Sequence, residues 1–407
     1  MEIFDVVVIG GGPSGSVASA YLHNQGKKVL VLEKEIFPRF VIGESLLPNC
    51  MGHLEEAGLL EVVKEAGFQV KNGAIFYDGD KRCCYDFSDQ FTKGWEWTWQ
   101  VKRANFDKIL IDEAQRKGVD VRFNCEVVEV EFGKDKQVVN YKNSNGESIA
   151  VGAKFVIDAS GYGRVLPRLL DLNEASDLKA RGAIFVHLQD SKRTNAEGNN
   201  IFIHPFNDNT AWLWAIPFSD ATTSVGIVGE NSFIEDLGRN NASEFTNILS
   251  SFKGLNGRFE NVEQLFEPRS ILGYSIGIKK MFGEGYVLCG NSTEFLDPVF
   301  SSGVTLATAS GLLAAKLTNK QLDNVQVDWK TDYEDVMNEG IEVFRSYVNA
   351  WYNGDLQTIF FADDIRNDFK QQICSVLAGY VWDKSNPFIK KHNTILQTLA
   401  KVIKAKG

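Results

Sequence analysis

The chain has 407 residues, of which 44% are hydrophobic and 24% are charged. This composition excludes intrinsic disorder, and the length allows two or three core-bearing units. The formal net charge of −10 argues against a nucleic-acid partner. The sequence has no apolar run long enough to span a bilayer and no recognisable signal peptide before the first predicted strand. We therefore expect a cytoplasmic protein without membrane contact.

The six cysteines are scattered without the spacing of metal ligands, so the sequence predicts no metal site: Cys50, Cys83, Cys84, Cys125, Cys289 and Cys374. The adjacent Cys83 and Cys84 leave two interpretations open. They form a redox pair, or they are two reduced residues in a strand. The second interpretation is favoured for a chain expected in the cytosol.

The chain begins with the signature of a dinucleotide-binding unit. Val6 to Ile9 form a short run of β-branched residues, which predicts a buried strand of a parallel sheet. Three glycines follow with the G-x-G-x-x-G spacing: Gly10, Gly12 and Gly15. The first allows a tight turn, the second lets a pyrophosphate approach the backbone, and the third lets a helix pack against the strand.

A helix over residues 14–25 and a second strand over residues 28–33 complete this unit. Unpaired N–H groups at the start of a helix attract anions, so the start of this helix is the predicted pyrophosphate site. The Glu33 carboxylate at the end of the second strand can accept hydrogen bonds from ribose hydroxyls. Together these elements favour a dinucleotide site over a glycine-rich turn in an ordinary α/β domain.

Residues 37–163 show a mixture of short helices and strands, after a loop over residues 37–48 that is expected beside the nucleotide. Apolar spacing predicts helices over residues 49–57, 59–66 and 106–117, the last with Asn105 as its N-cap. Alternation and apolar runs predict strands over residues 71–77, 83–87, 95–100, 119–123, 125–132 and 154–158, with a hairpin turn at residues 143–146.

From residue 182 to residue 228 the apolar period changes to two. Strands are predicted as an antiparallel meander over residues 183–188, 200–205, 210–217 and 223–228. Beyond them, the sequence predicts a mostly helical segment over residues 233–252, a buried strand over residues 285–290, a helix over residues 303–318 and mostly helical structure over residues 333–406.

These elements predict an α/β fold in which a parallel, Rossmann-like nucleotide-binding sheet is interrupted by an inserted antiparallel sheet. The nucleotide-binding domain is expected to be discontinuous, with residues 1–70, 101–178 and 277–325. Residues 71–100 and 179–276 are assigned to the antiparallel substrate domain, and residues 326–407 to a C-terminal helical region.

Three further signatures lie outside the nucleotide motif. Trp212-Leu-Trp-Ala-Ile-Pro217 fits W-x-W-x-I-P, and Phe295-Leu-Asp-Pro-Val-Phe-Ser-Ser-Gly303 fits F-x-x-P-x-x-S-x-G. Lys71 stands shortly after Gly43-Glu-Ser-Leu-Leu-Pro48. With these motifs most of the chain resembles the flavin-dependent halogenases, a branch of the FAD-dependent hydroxylase-type monooxygenases and geranylgeranyl reductases. The segment over residues 377–387 resembles members that act on phenols or carrier-bound substrates.

The resemblance implies FAD as cofactor and a separate flavin reductase as partner, since no second G-x-G-x-x-G for NADPH is present. In that family the reduced flavin forms a C4a-hydroperoxide, and a halide ion attacks it to give hypohalous acid. The acid crosses a tunnel to a lysine, here Lys71, which hydrogen-bonds it or forms a chloramine. The substrate is an electron-rich aromatic, either a small molecule or tethered to an acyl carrier.

Alternatives remain open at this point. Lys71 in isolation is compatible with a solvated charge at a strand edge. An FAD monooxygenase or a geranylgeranyl-reductase-like flavoprotein would use the same scaffold without halogenation. A flavin-binding sensor would bind FAD without turnover.

Trp212, Trp214 and Ile216 share one face of a strand by the period of two. The resemblance places this face, with Pro217, along the tunnel, whereas plain sheet core is the alternative. It also implies that the backbone N–H groups of Ser302 and Gly303, at a helix start, hold the halide ion.

The resemblance further implies a set of flavin-binding residues. The loop over residues 37–48, which we call the flavin-side loop, contributes Arg39, Glu44 and Ser45. Arg103 belongs to the ribityl or pyrophosphate region. The complete predicted set is Gly10, Gly12, Pro13, Ser14, Gly15, Glu33, Lys34, Arg39, Glu44, Ser45, Arg103, Val127, Asp158, Gly161, Gly290, Asn291, Pro298, Ser302, Gly303 and Val304.

Asn291 departs from the pattern of the family, and three histidines stand outside it. Most relatives carry Gly-Asp where this chain has Gly290-Asn291; the amide oxygen can still accept a hydrogen bond, but the negative charge is lost. His53, His187 and His204 have no acid at motif spacing, so they are predicted to be histidines whose neighbours satisfy them in the core.

Overall fold

The computed structural model describes residues 1–193, 196–239, 242–252, 255 and 257–406. Its strands, in chain order, are β1 (Glu2–Ile9), β2 (Val29–Leu32), β3 (Gln69–Lys71), β4 (Gly73–Asp78), β5 (Lys81–Asp86), β6 (Thr98–Gln100), β7 (Asp120–Arg122), β8 (Glu126–Phe132), β9 (Gln137–Lys142), β10 (Ser148–Asp158), β11 (Asn173–Ala175), β12 (Arg181–Gln189), β13 (Ile201–Phe206), β14 (Ala211–Pro217), β15 (Thr222–Glu230), β16 (Arg269–Leu272), β17 (Ile276–Ile278), β18 (Phe282–Gly283) and β19 (Tyr286–Leu288).

The helices are α1 (Pro13–Asn24), α2 (Asn49–Glu56), α3 (Leu60–Glu65), α4 (Arg103–Lys117), α5 (Val165–Leu169), α6 (Asn231–Arg239), α7 (Ala242–Ser251), α8 (Ser302–Leu322), α9 (Asp335–Tyr352), α10 (Asp355–Phe360), α11 (Asn367–Leu377), α12 (Pro387–Lys390) and α13 (His392–Lys404). The helical segment predicted over residues 233–252 is therefore two helices; residues 240 and 241 lie outside the described residues. Among the described residues, no helix combines the length and hydropathy that crossing a membrane requires.

The first large sheet has the strand order β18-β19-β10-β1-β2-β7, with β9 and β8 joined to β10. The pairs between β19, β10, β1, β2 and β7 are parallel. Strands β1 and β2 carry continuous apolar runs because both faces of this sheet are covered. Helix α1 packs against α4 and α8 on one of these faces.

The second large sheet has the order β16-β12-β15-β14-β13-β4-β5. The predicted meander is wrong in two respects: β12 pairs with β15 rather than β13, and β13 runs parallel to β4. Alternation of apolar residues reports which side chains are buried but not which strand lies beside which. Both faces are buried here, so Trp212 and Trp214 belong to one apolar cluster, and Leu213 and Ala215 to another.

A short three-stranded arrangement lies beside these sheets. Strand β3 pairs with β6 in antiparallel register, and Ser45 forms a bridge to Gln100 on the other edge of β6. Backbone hydrogen bonds from Leu46 N to Trp99 O (3.1 Å) and from Val101 N to Glu44 O (2.7 Å) complete it. We call this arrangement the mini-sheet. It connects the flavin-side loop with Lys71.

The predicted N-cap of the fourth helix is also wrong. Helix α4 begins at Arg103, and Lys102 is the N-cap with extended backbone angles. The backbone N–H groups of Asn105 and Phe106 both donate to Lys102 O, at 3.0 Å each. Asn105 therefore lies in the first turn. The salt bridge between Arg103 and Asp107, one turn apart, favours the earlier start.

One apolar cluster joins the first sheet, the second sheet and the C-terminal helices. It contains Val6 and Val8 of β1, Trp212 and Trp214 of β14, and Trp351 of α9. The predicted domain boundaries stay a prediction. The shared core explains how residues far apart in the sequence come to line one cavity.

Candidate active site

A cavity of about 430 Å³ opens where the parallel strands end. Ile9, Leu32, Ala159 and Cys289, which line it, stand at or next to the carboxyl ends of β1, β2, β10 and β19. Ligands bind at this edge in open α/β sheets. The opposite wall comes from the second sheet and from the start of α8.

Most residues of the predicted flavin-binding set line this cavity: Gly10, Gly12, Pro13, Ser14, Glu33, Lys34, Arg39, Glu44, Ser45, Arg103, Val127, Gly161, Gly290, Asn291, Pro298, Gly303 and Val304. Trp212, Trp214 and Ile216 line it as well. Gly15, Asp158, Ser302, Pro217 and Lys71 do not border it. The roles predicted for the individual residues of both groups stay predictions.

The glycine loop has the geometry that its motif predicts. Gly10 has a φ of +98°, and a Cβ there would lie 2.6 Å from Ala159 O. A Cβ on Gly15 would lie 2.0 Å from Gly10 O, so only glycine lets α1 approach β1 this closely. A Cβ on Gly12 would meet only the Arg39 side chain, at 3.6 Å, which leaves its backbone open to a ligand.

Glu33 is a buried carboxylate held by backbone donors. Its Oε2 accepts from Gly11 N at 2.7 Å, and its Oε1 accepts from Glu35 N at 2.9 Å. A carboxylate has further acceptor capacity beyond these two bonds. Glu33 can therefore still accept hydrogen bonds from ribose hydroxyls at the cavity wall.

Two arginines share one buried acid below the cavity. Arg103 donates to Asp107 from Nε at 2.7 Å and from Nη2 at 3.0 Å. Arg39 Nη1 donates to the same carboxylate at 3.2 Å. Arg103 Nη1 also donates to Ile42 O and Gly43 O, which ties the flavin-side loop to α4. Both guanidinium groups are thus oriented before any ligand binds.

Asp158 lies behind the cavity wall rather than in it. Its carboxylate accepts from Leu166 N (2.6 Å), Ser160 N (2.8 Å) and Ser292 Oγ (3.0 Å). Burial raises the pKa of Asp158, and these hydrogen bonds oppose the shift. The carboxylate fixes the turns at residues 159–163 and 290–292, which do line the cavity.

Trp212, Trp214 and Ile216 form one wall of the cavity, which we call the tryptophan wall. This wall is hydrogen-bonded to the segment before α8. Trp212 Nε1 donates to the Tyr352 hydroxyl (2.9 Å), which donates to Asp297 Oδ2 (2.7 Å). Asp297 Oδ1 accepts from Val299 N at 3.1 Å. The Arg181 guanidinium stands 3.4 Å from the centre of the Tyr352 ring. One face of β14 is thereby joined to the segment that leads into the predicted halide site at Ser302 and Gly303.

The start of α8 faces the same cavity. Ser301 precedes it with a φ of +55°, and Pro298, Ser301, Gly303 and Val304 line the wall. Backbone N–H groups in the first turn of a helix have no partner within the helix and favour anions. This geometry agrees with a halide or flavin carbonyl at that position.

Lys71 lies on the mini-sheet behind the flavin-side loop. Its side chain is buried, and Nζ donates to Leu46 O at 2.8 Å, next to the cavity-lining Ser45. The centre of the Phe87 ring lies 5.3 Å from Nζ. Burial lowers the pKa of Lys71 to about 7. The interpretation of Lys71 as a solvated strand-edge charge is therefore wrong.

The histidines divide into two groups. His53 Nδ1 lies 2.9 Å from Thr308 Oγ1, and burial lowers its pKa to about 4; His204 Nδ1 lies 2.6 Å from Pro205 O. His204 is buried in the core and His53 is partly buried, and each has a neighbouring group at hydrogen-bond distance, as predicted. His187 Nε2, however, lies 2.8 Å from Glu44 Oε1 at the cavity wall. The two residues stand 143 positions apart in the sequence, and no local pattern indicated this pair.

Other lining residues were missed because they lie outside the quoted motifs. They are mainly aromatic or apolar and come from the loops and from the second sheet: Phe40, Ile42, Ala183, Ile201, Ile271 and Tyr274. Burial combined with alternation marks Ala183 and Ile201 as core, but nothing in the sequence says that this part of the core borders a cavity. Cys83 and Cys84 both lie in β5, and all six cysteines are thiols.

The donors and acceptors at the cavity fit a flavin nucleotide. The Ser45 hydroxyl and Glu44 Oε2 are buried without a hydrogen-bond partner in the described part of the chain. Both residues line the cavity, as do the open face of Gly12 and the fixed carboxylate of Glu33. Buried polar atoms left unpaired in the protein are costly, so a polar ligand is expected to complete them.

Known proteins share this arrangement. The model of the FAD binding domain family matches residues 4–225, more than half of the chain. The 1H-pyrrole-2-carbonyl-(peptidyl-carrier protein) chlorinase of Pseudomonas fluorescens is 30% identical over 404 residues, which cover 93% of this chain and 90% of the relative. This chain belongs to the flavin-dependent halogenases.

Two solved structures extend the match. A flavoprotein/dehydrogenase from Cytophaga hutchinsonii is 49% identical, with a TM-score of 0.95 over 100% of both chains. The flavin-dependent brominase Bmp2 is 26% identical, with a TM-score of 0.84 over 100% of both chains. The predictions of the family, of the α/β fold with its two kinds of sheet, of FAD and of an FAD-dependent oxidoreductase-type enzyme are thereby confirmed.

Proposed function

We propose that this flavin-dependent halogenase transfers an oxidised halide from the flavin cavity to the Lys71 amine, where an electron-rich aromatic substrate is halogenated. The observation that carries the proposal is the placement of Lys71. Its buried amine is bonded to the carbonyl of Leu46, one residue from the cavity-lining Ser45. A halogenase on this scaffold needs such a group close to the cavity but separate from it.

FAD, when bound and reduced, supplies the oxidising equivalents by reacting with oxygen. The chain's own residues bind and orient it: the glycine loop for the pyrophosphate, Glu33 for the ribose, and Arg39 and Arg103 beside the flavin-side loop. Asn291 supplies an uncharged oxygen where relatives carry an acid. The first turn of α8 holds the halide through the N–H groups of Ser302 and Gly303.

The tryptophan wall keeps the aromatic substrate away from the flavin. Trp212 and Trp214 are almost completely buried and carry hydrogen bonds on their indole nitrogens, to Tyr352 and Ser224. Such a wall resists displacement by a substrate of similar chemistry. The aromatic substrate therefore meets the oxidant at Lys71 and not at the flavin.

The lowered pKa of Lys71 suits this role. With a pKa of about 7, a large fraction of the amine is neutral at neutral pH. A neutral amine has a lone pair that can accept a hydrogen bond from hypohalous acid. The lone pair can also attack the halogen, so that an N–halogen bond forms, the O–halogen bond breaks, and one amine proton leaves with the oxygen as water. An ordinary surface lysine is almost entirely protonated under the same conditions.

The name of a relative supports a substrate class. The Pseudomonas fluorescens relative is named for a pyrrole carried on a peptidyl-carrier protein. We propose that a pyrrole or phenol, free or carrier-bound, is the substrate here. A separate flavin reductase is the proposed source of reduced flavin.

The test is halide-dependent product formation. The protein is incubated with FAD, a flavin reductase, NADH and bromide, with a panel of free and carrier-bound pyrroles and phenols. Mass spectrometry should find brominated products that disappear when bromide is omitted. Hydroxylated products alone, whatever the halide, would identify a monooxygenase; reoxidation of the flavin without any product would point to a binding protein.

A further inference from the structure

A row of polar side chains on one face of the mini-sheet connects the cavity wall with Lys71. Ser45 stands opposite Gln100, and Lys71 stands opposite Thr98. Gln100 and Thr98 are two residues apart on β6, so their side chains point to the same face. The row therefore runs Ser45, Gln100, Thr98, Lys71, and we call it the polar stripe.

The polar stripe has a definite length. Strands lie about 4.8 Å apart, and two residues span about 6.6 Å along a strand, so the Cα atoms of Ser45 and Lys71 are separated by roughly 12 Å. Ser45 lines the flavin cavity, whereas the other three members do not border it. The Lys71 side chain crosses β6 to reach Leu46 O, so its amine lies beside the stripe, close to the segment of Ser45.

All four members of the polar stripe are buried, with exposed fractions of 5%, 0%, 0% and 1% from Ser45 to Lys71. Ser45 Oγ and Gln100 Oε1 have no hydrogen-bond partner among the described residues, and Thr98 Oγ1 has only the Cys50 thiol, a weak hydrogen-bonding group, beside it. The Gln100 amide nitrogen donates to Asn199 O, which fixes the side chain and leaves its oxygen as an acceptor.

The segment after Ser45 comes near the start of α8 beside Gly379. A Cβ built on Gly379 would lie 3.2 Å from Thr305 Cγ2 and 3.3 Å from Leu47 Cβ. Leu47 follows the strand segment of Ser45, and Thr305 lies in the first turn after Gly303. Thr305 Oγ1 is a further buried oxygen without a partner in the described part of the chain.

Such a concentration of unpaired oxygens is expensive in a folded protein. A buried hydroxyl or amide without a partner costs free energy, and most buried polar groups are paired. Unpaired acceptors along one row are explained when small hydroxylic molecules occupy the row. A water molecule can satisfy such an acceptor, and another small molecule with an O–H group can take the place of that water.

We propose that Ser45, Gln100 and Thr98 bind the hypohalous acid in transit, so that the polar stripe is the path from the flavin cavity to Lys71. The proposal rests on the proposed function, which supplies the acid. Hypohalous acid has one O–H group to donate and an oxygen to accept, so it can exchange hydrogen bonds along the row. No covalent bond changes until it reaches the amine.

Thr98 stands directly opposite Lys71 in the strand register, and its hydroxyl is the group to remove. Thr98→Val keeps the branched shape, and it removes a hydroxyl whose one neighbouring partner is the weakly hydrogen-bonding Cys50 thiol, so the fold should tolerate the change. The rate of flavin oxidation should stay at the wild-type value. Halogenated product per flavin oxidised should fall about tenfold, the factor for one hydrogen bond of ordinary strength. Hypohalous acid trapped in solution by a thiol reagent should rise correspondingly.

Two variants control this result. Thr98→Ser keeps the hydroxyl and should restore wild-type coupling. Thr318→Val removes another buried hydroxyl without a partner among the described residues, near the far end of α8, and should leave coupling unchanged. If Thr98→Val halogenates as efficiently as Thr318→Val, the path does not use the stripe and the proposal is overturned.

A crystal structure of flavin-free protein gives a readout without turnover. Ordered waters are expected within hydrogen-bond distance of Ser45 Oγ, Gln100 Oε1 and Thr98 Oγ1, with the water at Thr98 absent in Thr98→Val. A dry stripe contradicts the proposal. If the wild type makes no halogenated product with any substrate, the proposed function fails. Ordered waters on the stripe would then show that it binds small molecules with O–H groups, but hypohalous acid would not be the ligand.

Discussion

The glycine loop over residues 10–15, Glu33 and Asp158 form a region that we call the nucleotide cradle. The nucleotide cradle and the polar stripe satisfy their polar groups in opposite ways. In the cradle, the carboxylates of Glu33 and Asp158 are held by backbone N–H donors. On the stripe, Ser45 Oγ and Gln100 Oε1 have no partner among the described residues, and Thr98 Oγ1 has only the Cys50 thiol beside it. A region that must keep one shape is completed from within the chain. A region that passes small molecules keeps its hydrogen-bonding capacity for them.

The strongest way to break this comparison is to leave the cradle's donors unpaired. Asp158→Ala removes the acceptor of Leu166 N, Ser160 N and Ser292 Oγ. Without FAD, urea unfolding should show a loss of about 3 kcal/mol or more, since each buried donor left unpaired costs 1–3 kcal/mol. Asp135→Ala, at an exposed position, is the control and should change stability by less than about 0.5 kcal/mol. Equal losses in both variants would show that Asp158 does not hold the turns.

The close packing of α1 on β1 is the second target. A Cβ on Gly15 would lie 2.0 Å from Gly10 O, so Gly15→Ala must displace the glycine loop. We expect FAD affinity, measured by fluorescence titration, to fall about a hundredfold. Gly52→Ala, whose Cβ meets nothing within 4 Å, should bind FAD like the wild type. Identical affinities for the two variants would contradict the account of the cradle.

At the polar stripe, the buried Lys71 predicts that the free energy of unfolding depends on pH. Burial lowers the pKa of Lys71 to about 7 from 10.5. Between these values the unfolded chain binds a proton that the folded chain lacks, so stability rises with pH. The contribution is complete above the unfolded pKa and is lost as pH falls through the folded pKa.

The measurement compares wild type with Lys71→Met, which carries no titrating group. In urea unfolding, the free energy of the wild type should gain on that of the variant by about 1 kcal/mol per pH unit between roughly pH 7 and pH 9. A difference that does not change with pH would mean that Lys71 titrates like a surface lysine.

The smallest effect is expected at the join between the tryptophan wall and α8. Tyr352→Phe removes the hydroxyl between Trp212 Nε1 and Asp297 Oδ2. Stability should fall by about 1–2 kcal/mol, since Trp212 Nε1 and Asp297 Oδ2 each lose a partner at a partly buried site. The partly exposed Tyr77 provides the control, and Tyr77→Phe should cost less than about 0.5 kcal/mol in the same thermal or urea unfolding experiment. If the two variants are equally stable, the bridge contributes nothing.

The cradle could be predicted from the sequence because backbone geometry dictates it. Gly10 and Gly15 stand where any Cβ would strike the backbone, and such positions leave a glycine signature at fixed spacing. The face shared by Trp212, Trp214 and Ile216 followed from the period of two. These features depend on neighbours that are close in sequence.

The rest depends on contacts that no local pattern encodes. The pairing of His187 with Glu44, the neighbours of β12, and the opposition of Lys71 and Thr98 are set by strand register between distant segments. The alternation of apolar and polar residues identified the buried faces of the strands, but it could not predict which strands pair with each other. The start of α4 was missed because Arg103 and Asp107 stabilise an earlier first turn than the Asn105 cap implied.

The most direct test of the central claim is a single turnover with Lys71→Met. Protein with bound reduced FAD is mixed with oxygen, bromide and the best substrate from the panel. Flavin oxidation is followed by absorbance, and brominated product by mass spectrometry. We predict an unchanged rate of flavin oxidation and a fall of at least about a hundredfold in product. Wild-type product yield from Lys71→Met would contradict the transfer of the oxidised halide to this amine.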